Sequence, residues 1–169
     1  MGPPRLRFLG LDPGLKATGW GLIEVDGNHL THVANGVVCP PKGLELAGRL
    51  KGLYTRLADL IVEYRPDQAA VEETFVNANG KTTLLLGQAR GVVMLAPANA
   101  GLKVFEYPAN LIKKSVVGYG HADKVQVAHM VGHILPGLEL EAGDAADALA
   151  VAICHAHHAA HRAVIDSVA

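Results

Sequence analysis

The order of element signals along this chain predicts an α/β layer fold with a mixed sheet of about five strands. Three observations carry that reading. The first 38 residues hold three β-type stretches separated only by turn residues. Beyond Pro40-Pro41, helical periodicity alternates with short apolar runs, the first of which ends in carboxylates. Half of the 169 residues are hydrophobic and 18% are charged, enough apolar surface for a sizeable core and too little charge for a disordered chain.

The elements follow in order. Residues 5–12 read as a strand that Asp12-Pro13-Gly14 breaks. Residues 19–26 form a second strand, Asp26-Gly27-Asn28 gives a hairpin turn, and residues 29–38 return as a third, so the three make an antiparallel meander. Residues 44–64 place Leu44, Ala47, Leu50, Leu57 and Tyr64 at helical spacing, and Arg65-Pro66-Asp67 stops that helix. Residues 68–73, Gln-Ala-Ala-Val-Glu-Glu, are a strand, and a strand after a long helix implies a parallel crossover. A polar loop at 77–80 precedes a helix over 82–96 stopped by Pro97. That helix is apolar on more than one side, which predicts burial on two faces, by core plus lid or core plus a second subunit. Residues 102–107 are the fifth strand. Pro108 suits the first position of a helix over 108–117, and a further helix spans 123–135. The last helix begins at Asp144 and runs toward residue 161.

Composition narrows the function classes. The apolar runs are too interrupted to span a membrane, and no secretory leader precedes Asp12. Cys39 and Cys154 are too few and too far apart for a disulfide framework or a zinc knuckle, so a reduced, cytoplasmic protein is expected. No repeat, low-complexity tract or linker divides residues 1–169, which read as a single domain. The net charge of −1 argues weakly against nucleic-acid binding, because clustering matters more than the sum.

The chemistry lies in carboxylates at element ends. In Gly143-Asp144-Ala145-Ala146-Asp147-Ala148-Leu149-Ala150 the two acids are three residues apart. On a helix that is a rotation of about 300°, which puts them on one face, near the end where the dipole favours negative charge. Asp12 ends the first strand and Glu72 the fourth, and parallel neighbours bring both to one sheet edge. Taken singly, each has a bland account: Asp12 as a turn former, Glu72 as a solvated strand end, Asp144 as a helix cap. Together, four oxygen-donor acids match a two-metal phosphoryl-transfer site, and hard oxygen ligands suit Mg²⁺ or Mn²⁺. Strand alternation turns Glu73 away from Glu72. The histidines at 155, 157, 158 and 161 drift around their helix and read as an exposed helix end, where cationic imidazole suits the dipole.

The sequence resembles the RuvC family of Holliday-junction resolvases, which have a ribonuclease H-like fold. The match is carried by Gly10-Leu11-Asp12-Pro13-Gly14 with Thr18-Gly19-Trp20-Gly21, and by Ala70-Val71-Glu72-Glu73-Thr74-Phe75. It continues through Leu86-Gly87-Gln88-Ala89-Arg90-Gly91, Val104-Phe105-Glu106-Tyr107, Lys113-Lys114-Ser115-Val116-Val117-Gly118 and residues 143–150. The resemblance implies that Asp12, Glu72, Asp144 and Asp147 bind two Mg²⁺ per subunit and that a metal-activated water attacks a phosphodiester. It implies that Lys113 and Lys124 lie near the scissile phosphate, where either could otherwise be a solvated helix side chain. It assigns Phe75 to stacking on an unpaired base at the junction; from its position alone, a core phenylalanine serves equally. The resemblance further implies a homodimer that nicks a four-way DNA junction symmetrically in recombination and repair, a thymine-rich cleavage preference, and cooperation with the RuvA and RuvB branch-migration helicase complex. The helix at 82–96 is the natural dimer interface, with Gln88 and Arg90 as its polar features.

Two other functions compete. Gly-Leu-Asp-Pro-Gly also opens actin-like ATPases, but this chain has no second lobe and no matching phosphate motif. A non-catalytic junction-binding module would have no use for four crowded acids, which are costly to bury.

Overall fold

The computed structural model describes residues 5–14, 16–73, 78–140 and 143–168, with side chains through residue 161 in the last helix. Strands β1 (Leu6–Asp12), β2 (Thr18–Asp26) and β3 (His29–Val38) form the antiparallel meander. Gly27 at φ +60° makes the turn between β2 and β3, in the left-handed region where a side chain would be strained. Helix α1 (Leu46–Tyr64) crosses to β4 (Gln68–Glu72), which pairs in parallel with β1, matching Leu9 with Ala69 and Leu11 with Val71. Helix α2 (Gly80–Asn99) crosses to β5 (Lys103–Tyr107), parallel to β4, with Glu72 opposite Tyr107. Helices α3 (Ala109–Val117), α4 (Lys124–Ile134) and α5 (Gly143–Val168) complete the chain. The strand order is β3-β2-β1-β4-β5.

Period-two alternation divides the core in two. Leu9, Leu11, Trp20, Leu22, Ala69 and Val71 face Leu53, Leu57 and Ile61 of α1 and Val93 of α2. Phe8, Ile23, Ala70 and Tyr107 face the other way, onto Ile112 of α3, Val127 and Val131 of α4, and α5. Helix α5 is therefore sandwiched, and its side chains from Ala148 to Ala156 are buried all round. Its alanines are the fit to that place, since they let the helix lie close to the sheet. Glycine completes the fit from below. A Cβ on Gly10 would stand 2.0 Å from the Ala148 carbonyl oxygen, and one on Gly19 2.0 Å from that of Asp144. The obstacles are helix backbone, which has no rotamer to change.

Element ends differ from expectation for local reasons. Helix α1 starts at Leu46 and not at residue 44 because Glu45 is extended, at ψ 163°. Asn79 caps α2 by accepting from the Thr82 N–H at 3.1 Å, so the helix starts earlier than residue 82. It also runs through Pro97 to Asn99; a proline in the final turn removes one hydrogen bond and leaves the remaining two residues helical. Pro108 is the N-cap of α3 and not its first residue. Asp123 and Gln126 form a reciprocal capping box on α4, at 2.8 and 2.9 Å. Within this chain only one face of α2 is covered: Ala89, Val93 and Ala96 pack inward, while Leu84 and Leu95 are 64% and 56% exposed. Gln88 is exposed on that outer side. Arg90 turns the other way, pairing with Glu106 of β5 and donating to Met94 Sδ at 3.1 Å. Among the described residues no helix is long and apolar enough to cross a membrane.

Gly10→Ala should lower stability by roughly 2–4 kcal/mol, since sheet and helix must part to admit the methyl. Gly132→Ala, on the exposed side of α4 where a Cβ meets nothing, should raise it by about 0.5–1 kcal/mol. Urea midpoints of the two variants check the contrast.

Candidate active site

Strand alternation that directs Phe8 and Gly10 at α5 directs Asp12 there too, and the same holds for Ala70 and Glu72 of β4. Because β1 and β4 are parallel neighbours, the two acids leave the sheet at one edge. Helix α5 begins at that edge, since Gly19, the partner of Asp12 in β2, touches the Asp144 backbone. The entry to α5 is held from the far side by Asn35 of β3, whose Nδ2 donates to the Glu139 carbonyl at 3.1 Å. Asp12, Asp144 and Asp147 consequently bring one carboxylate oxygen each to within 4.8 Å of one another, all half-buried. Both acids of the Asp144/Asp147 pair face the sheet edge, as their spacing requires.

Glu72 stands beside Asp12, outside that group of three. It faces Asp12 closely enough for the two carboxyls to share a proton. With Asp12 and Asp147 it lines a cleft of about 190 Å³ whose apolar walls include Ile112, Val127 and Ala150. Lys113 of α3 and Lys124 of α4 line the same cleft. Lys124 Nζ donates to Asp147 Oδ2 at 2.8 Å. That bond is the main reason its ammonium is held above the ordinary lysine range, although the side chain is 79% exposed. It also offsets the placing of a cation at the N-terminus of α4, where the dipole is unfavourable.

Crowding sets the electrostatics. Burial, and then the charges of Glu72 and Asp147, push the Asp12 carboxyl up to about 8. Burial and the charge of Asp147 raise Glu72 as well. Without a counter-ion this group holds a proton that an ordinary solvated carboxyl would lose. The donor set is all oxygen, the pocket concentrates negative charge, and nothing softer lines it among the described residues. Those features fit a hard divalent cation.

Two expectations meet the structure differently. Phe75 lies outside the described residues. The histidine stretch is not an exposed helix end, because α5 continues to Val168 and His155 is wholly buried. Its Nδ1 lies 2.9 Å from the Tyr107 hydroxyl and its Nε2 2.8 Å from Gln68 Oε1, with Phe8 and Phe105 against the ring. His158 stacks on Tyr107, whereas His157 and His161 are exposed. Among the described residues these histidines join no group of three converging metal ligands. His155 thus ties α5 to β4 and β5, two elements beside the acids. A signal for this lies in Gln68, which period-two spacing puts on the same face as Glu72, but its partner is 87 residues away. Glu73 stays out of the cleft, and its N–H donates to the Tyr107 carbonyl at 2.9 Å.

A five-stranded mixed sheet of this order, with carboxylates at two adjacent parallel strand ends and on the closing helix, is the arrangement of ribonuclease H-like nucleases. Within that class, residues 8–155 match the family model described as crossover junction endodeoxyribonuclease RuvC, and the chain belongs to that family. It is 59% identical to the crossover junction endodeoxyribonuclease RuvC of Rhodospirillum rubrum over 155 residues, covering 92% of each chain. It is 57% identical to that of Azorhizobium caulinodans over 153 residues, covering 90% of each. Among solved structures it is similar to Thermus thermophilus RuvC in complex with a Holliday junction substrate, at 31% identity and a TM-score of 0.86, covering 93% of this chain and 96% of that one.

The raised acids make stability depend on pH. A carboxyl whose folded pKa lies above its unfolded value costs nothing while both states are protonated, and destabilises the fold as pH climbs from the unfolded value, near 4, toward the folded one, about 8 for Asp12. In chelator, stability should therefore contain a component that declines between those limits. Asp12→Asn should remove about 1–2 kcal/mol of that decline, the scale of partly screened like charges. Mg²⁺ should restore the wild type selectively at the alkaline end. Denaturation midpoints against pH, with and without Mg²⁺, read both effects.

Proposed function

We propose that this chain is a divalent-cation-dependent endonuclease that resolves four-way DNA junctions by paired, symmetric nicks. The observation that carries the reading is the convergence of Asp12, Asp144 and Asp147, with Glu72 beside Asp12 and two lysines on the same cleft, in a chain of the crossover junction endodeoxyribonuclease family. Such nucleases hydrolyse phosphodiesters. A relative with 31% identity has been solved with a Holliday junction bound, which supports the same substrate here.

The four carboxylates would hold two Mg²⁺ per subunit, or Mn²⁺, which when bound supply an activated water and charge to stabilise the leaving 3′-oxygen. The chain's own contributions follow from its geometry. Burial and neighbouring acids hold the Asp12 and Glu72 carboxyls up, and a bound cation would favour their ionised forms. Lys124 holds the Asp147 carboxylate on the cleft wall through its hydrogen bond, and its ammonium is exposed to an incoming phosphate. Lys113 stands on the cleft wall beside Glu72, where a phosphate oxygen gaining charge would find a cation. Ile112 and Val127 narrow the access of bulk water. Phe75, three residues beyond Glu72, is the candidate for stacking on an unpaired base, a contact worth about 1–3 kcal/mol. Two sites are needed for two cuts, and a homodimer supplies them. The outer side of α2, with Leu84, Gln88 and Leu95, is the surface that pairing would cover. We assign the whole chain to one nuclease domain acting in the cytoplasm, in recombination and repair, with the RuvA and RuvB branch-migration complex as partner.

Cleavage of a synthetic four-way junction in Mg²⁺ tests the reading. Asp12→Asn should cut at least ~10²-fold more slowly, the scale of losing one preorganised charge-stabilising group, while still binding the junction. Equal cleavage by the variant would remove the catalytic assignment, and binding by wild type without any cleavage would favour a junction-binding module.

Lys113→Ala should lower the single-turnover rate roughly 10–100-fold with little change in junction affinity. A fall in affinity alone would make Lys113 a phosphate anchor and not a participant in the reaction.

A further inference from the structure

The surface that bears the acidic cleft continues past Lys113 into a second hollow. Helix α3 presents Ala109 and Lys113 to the cleft, four residues apart and so on one face of the helix. The next position of that stripe, Val117, lines a hollow of about 330 Å³ together with Tyr119, Val125, Gln126, His129 and Met130. Helix α4 serves both spaces too, giving Lys124 and Val127 to the cleft and Val125 and Gln126 to the hollow. Along α3 the hollow therefore begins one turn, about 6 Å, beyond Lys113. Val117 and Met130 pack against the same core as Ile112, Val127 and Ala150, so cleft and hollow both lie on the α5 side of the sheet.

The loop from α3 to α4 shapes the hollow. Gly118 ends α3 in the left-handed region, at φ +96°. Gly120 passes the start of α3, where an added Cβ would stand 3.5 Å from the Asn110 carbonyl oxygen, and Asn110 follows Ala109 of the cleft wall. The chain thus doubles back along α3 toward the acids, and Tyr119 stands one residue from that contact. Tyr119 is 48% exposed and Val125 78%. Apolar area left in water beside a cleft adds nothing to the fold and suits a ligand. The lysines stand to one side of it: Lys113 and Lys124 line the cleft, and neither lines the hollow. Asp123, the acid of the loop, is committed to capping α4. A DNA strand held at the cleft by its phosphates would lay its uncharged, flat parts, the bases, over the hollow. Nucleotides of one strand rise about 3.4 Å each, so the hollow lies about two nucleotides from a phosphate at Lys113.

We propose that Tyr119 is a positioning residue whose ring stacks on a base of the cleaved strand, about two nucleotides from the phosphate being cut, with Val125 walling the same hollow. It rests on the endonuclease reading and adds to it a contact that holds the strand in register over the acids. Stacking on an aromatic ring tolerates any base, because every base has a π-face. A base inside a duplex must first be unstacked, at a cost that an already unpaired base avoids. The contact therefore favours a junction, whose strands part at the centre, over plain duplex.

The test is equilibrium binding of a fluorescent four-way junction in chelator across a range of salt, with cleavage in Mg²⁺ measured alongside. The proteins are wild type, Tyr119→Ala and Tyr119→Phe. Tyr119 is exposed, so neither change disturbs the core. Tyr119→Ala should weaken junction affinity roughly 5- to 100-fold, the scale of one stacked base. Its slope of log affinity against log salt should stay that of wild type, because no charge is lost. Tyr119→Phe keeps the ring and should bind as wild type does. In a second arm, 5-iodouracil is placed at successive positions on either side of the cut, and irradiation of the wild-type complex should crosslink it to Tyr119 at about the second nucleotide. That arm uses wild type alone, so it does not depend on how a variant folds. Wild-type binding and cutting by Tyr119→Ala overturn the stacking, return the hollow to a protein partner or to solvent, and leave the nuclease reading standing. Crosslinks that never reach Tyr119 overturn it equally. A matching loss in Tyr119→Phe also overturns it, by moving the effect from the ring to the hydroxyl. Failure of wild type to bind or cut the junction overturns the nuclease reading, and the stacking falls with it.

Discussion

The contact on which the rest depends is the backbone approach of α5 to β1 and β2. Gly10, Gly19 and Gly21 of the sheet and the alanines of the helix remove the side chains that would hold the two apart. Helix and sheet then touch at the level of Ala148 and Asp144 backbone atoms. This fixes the depth and the rotation of α5, and with them the directions of Asp144 and Asp147. Had the layers packed at the usual side-chain separation, these acids would stand too far from Asp12 to share an ion. The site is thus an outcome of small residues far more than of its acids.

That same closeness creates an electrostatic load. Asp12, Glu72 and Asp147 line one cleft, Asp144 brings an oxygen close to Asp12 and Asp147, and Lys124 donates to Asp147. The load falls most on Asp12, whose carboxyl is pushed up to about 8 by burial and then by Glu72 and Asp147. Elsewhere the fold uses its polar groups to fix the same elements. His155 joins α5 to Gln68 and Tyr107 inside the core, Asn35 holds the chain entering α5, and Arg90 fastens α2 to β5. Each bond constrains an element that bears or neighbours an acid, so the like-charge repulsion is resisted by a stiff frame and not by the acids themselves. Folding cost and chemical readiness share one cause, since a pocket that repels its own charges is one that binds a cation strongly.

Much of the fold is legible in the chain because its signals are local. Period-two runs bounded by Asp-Pro-Gly and Asp-Gly-Asn mark the meander, and period-3.6 runs mark the helices, in the order observed. The differences lie at element ends and in environments. Pro97 does not stop α2, because a proline in the last turn has little helix left to break. The outer face of α2 is exposed in a single chain, since apolar content cannot say which molecule covers it. His155 reads as a solvated helix end because nothing near it in sequence reveals that Tyr107 and Gln68 await it inside.

The sequence by itself determined which residues could do the chemistry. Acids at strand ends and at a helix start, with matching motifs across most of the chain, single out Asp12, Glu72, Asp144 and Asp147. Residue type, spacing and strand alternation are properties of a few neighbouring positions, and so they can be read along the chain. Only the tertiary structure decided that Asp12, Asp144 and Asp147 converge with Glu72 beside them, and that Lys124 leans on Asp147 while Asp12 carries the raised pKa. Those facts depend on the distance between α5 and the sheet and on the parallel placement of β1 and β4. Both are set by contacts between residues far apart in sequence, whose energies exist only once the layers have closed.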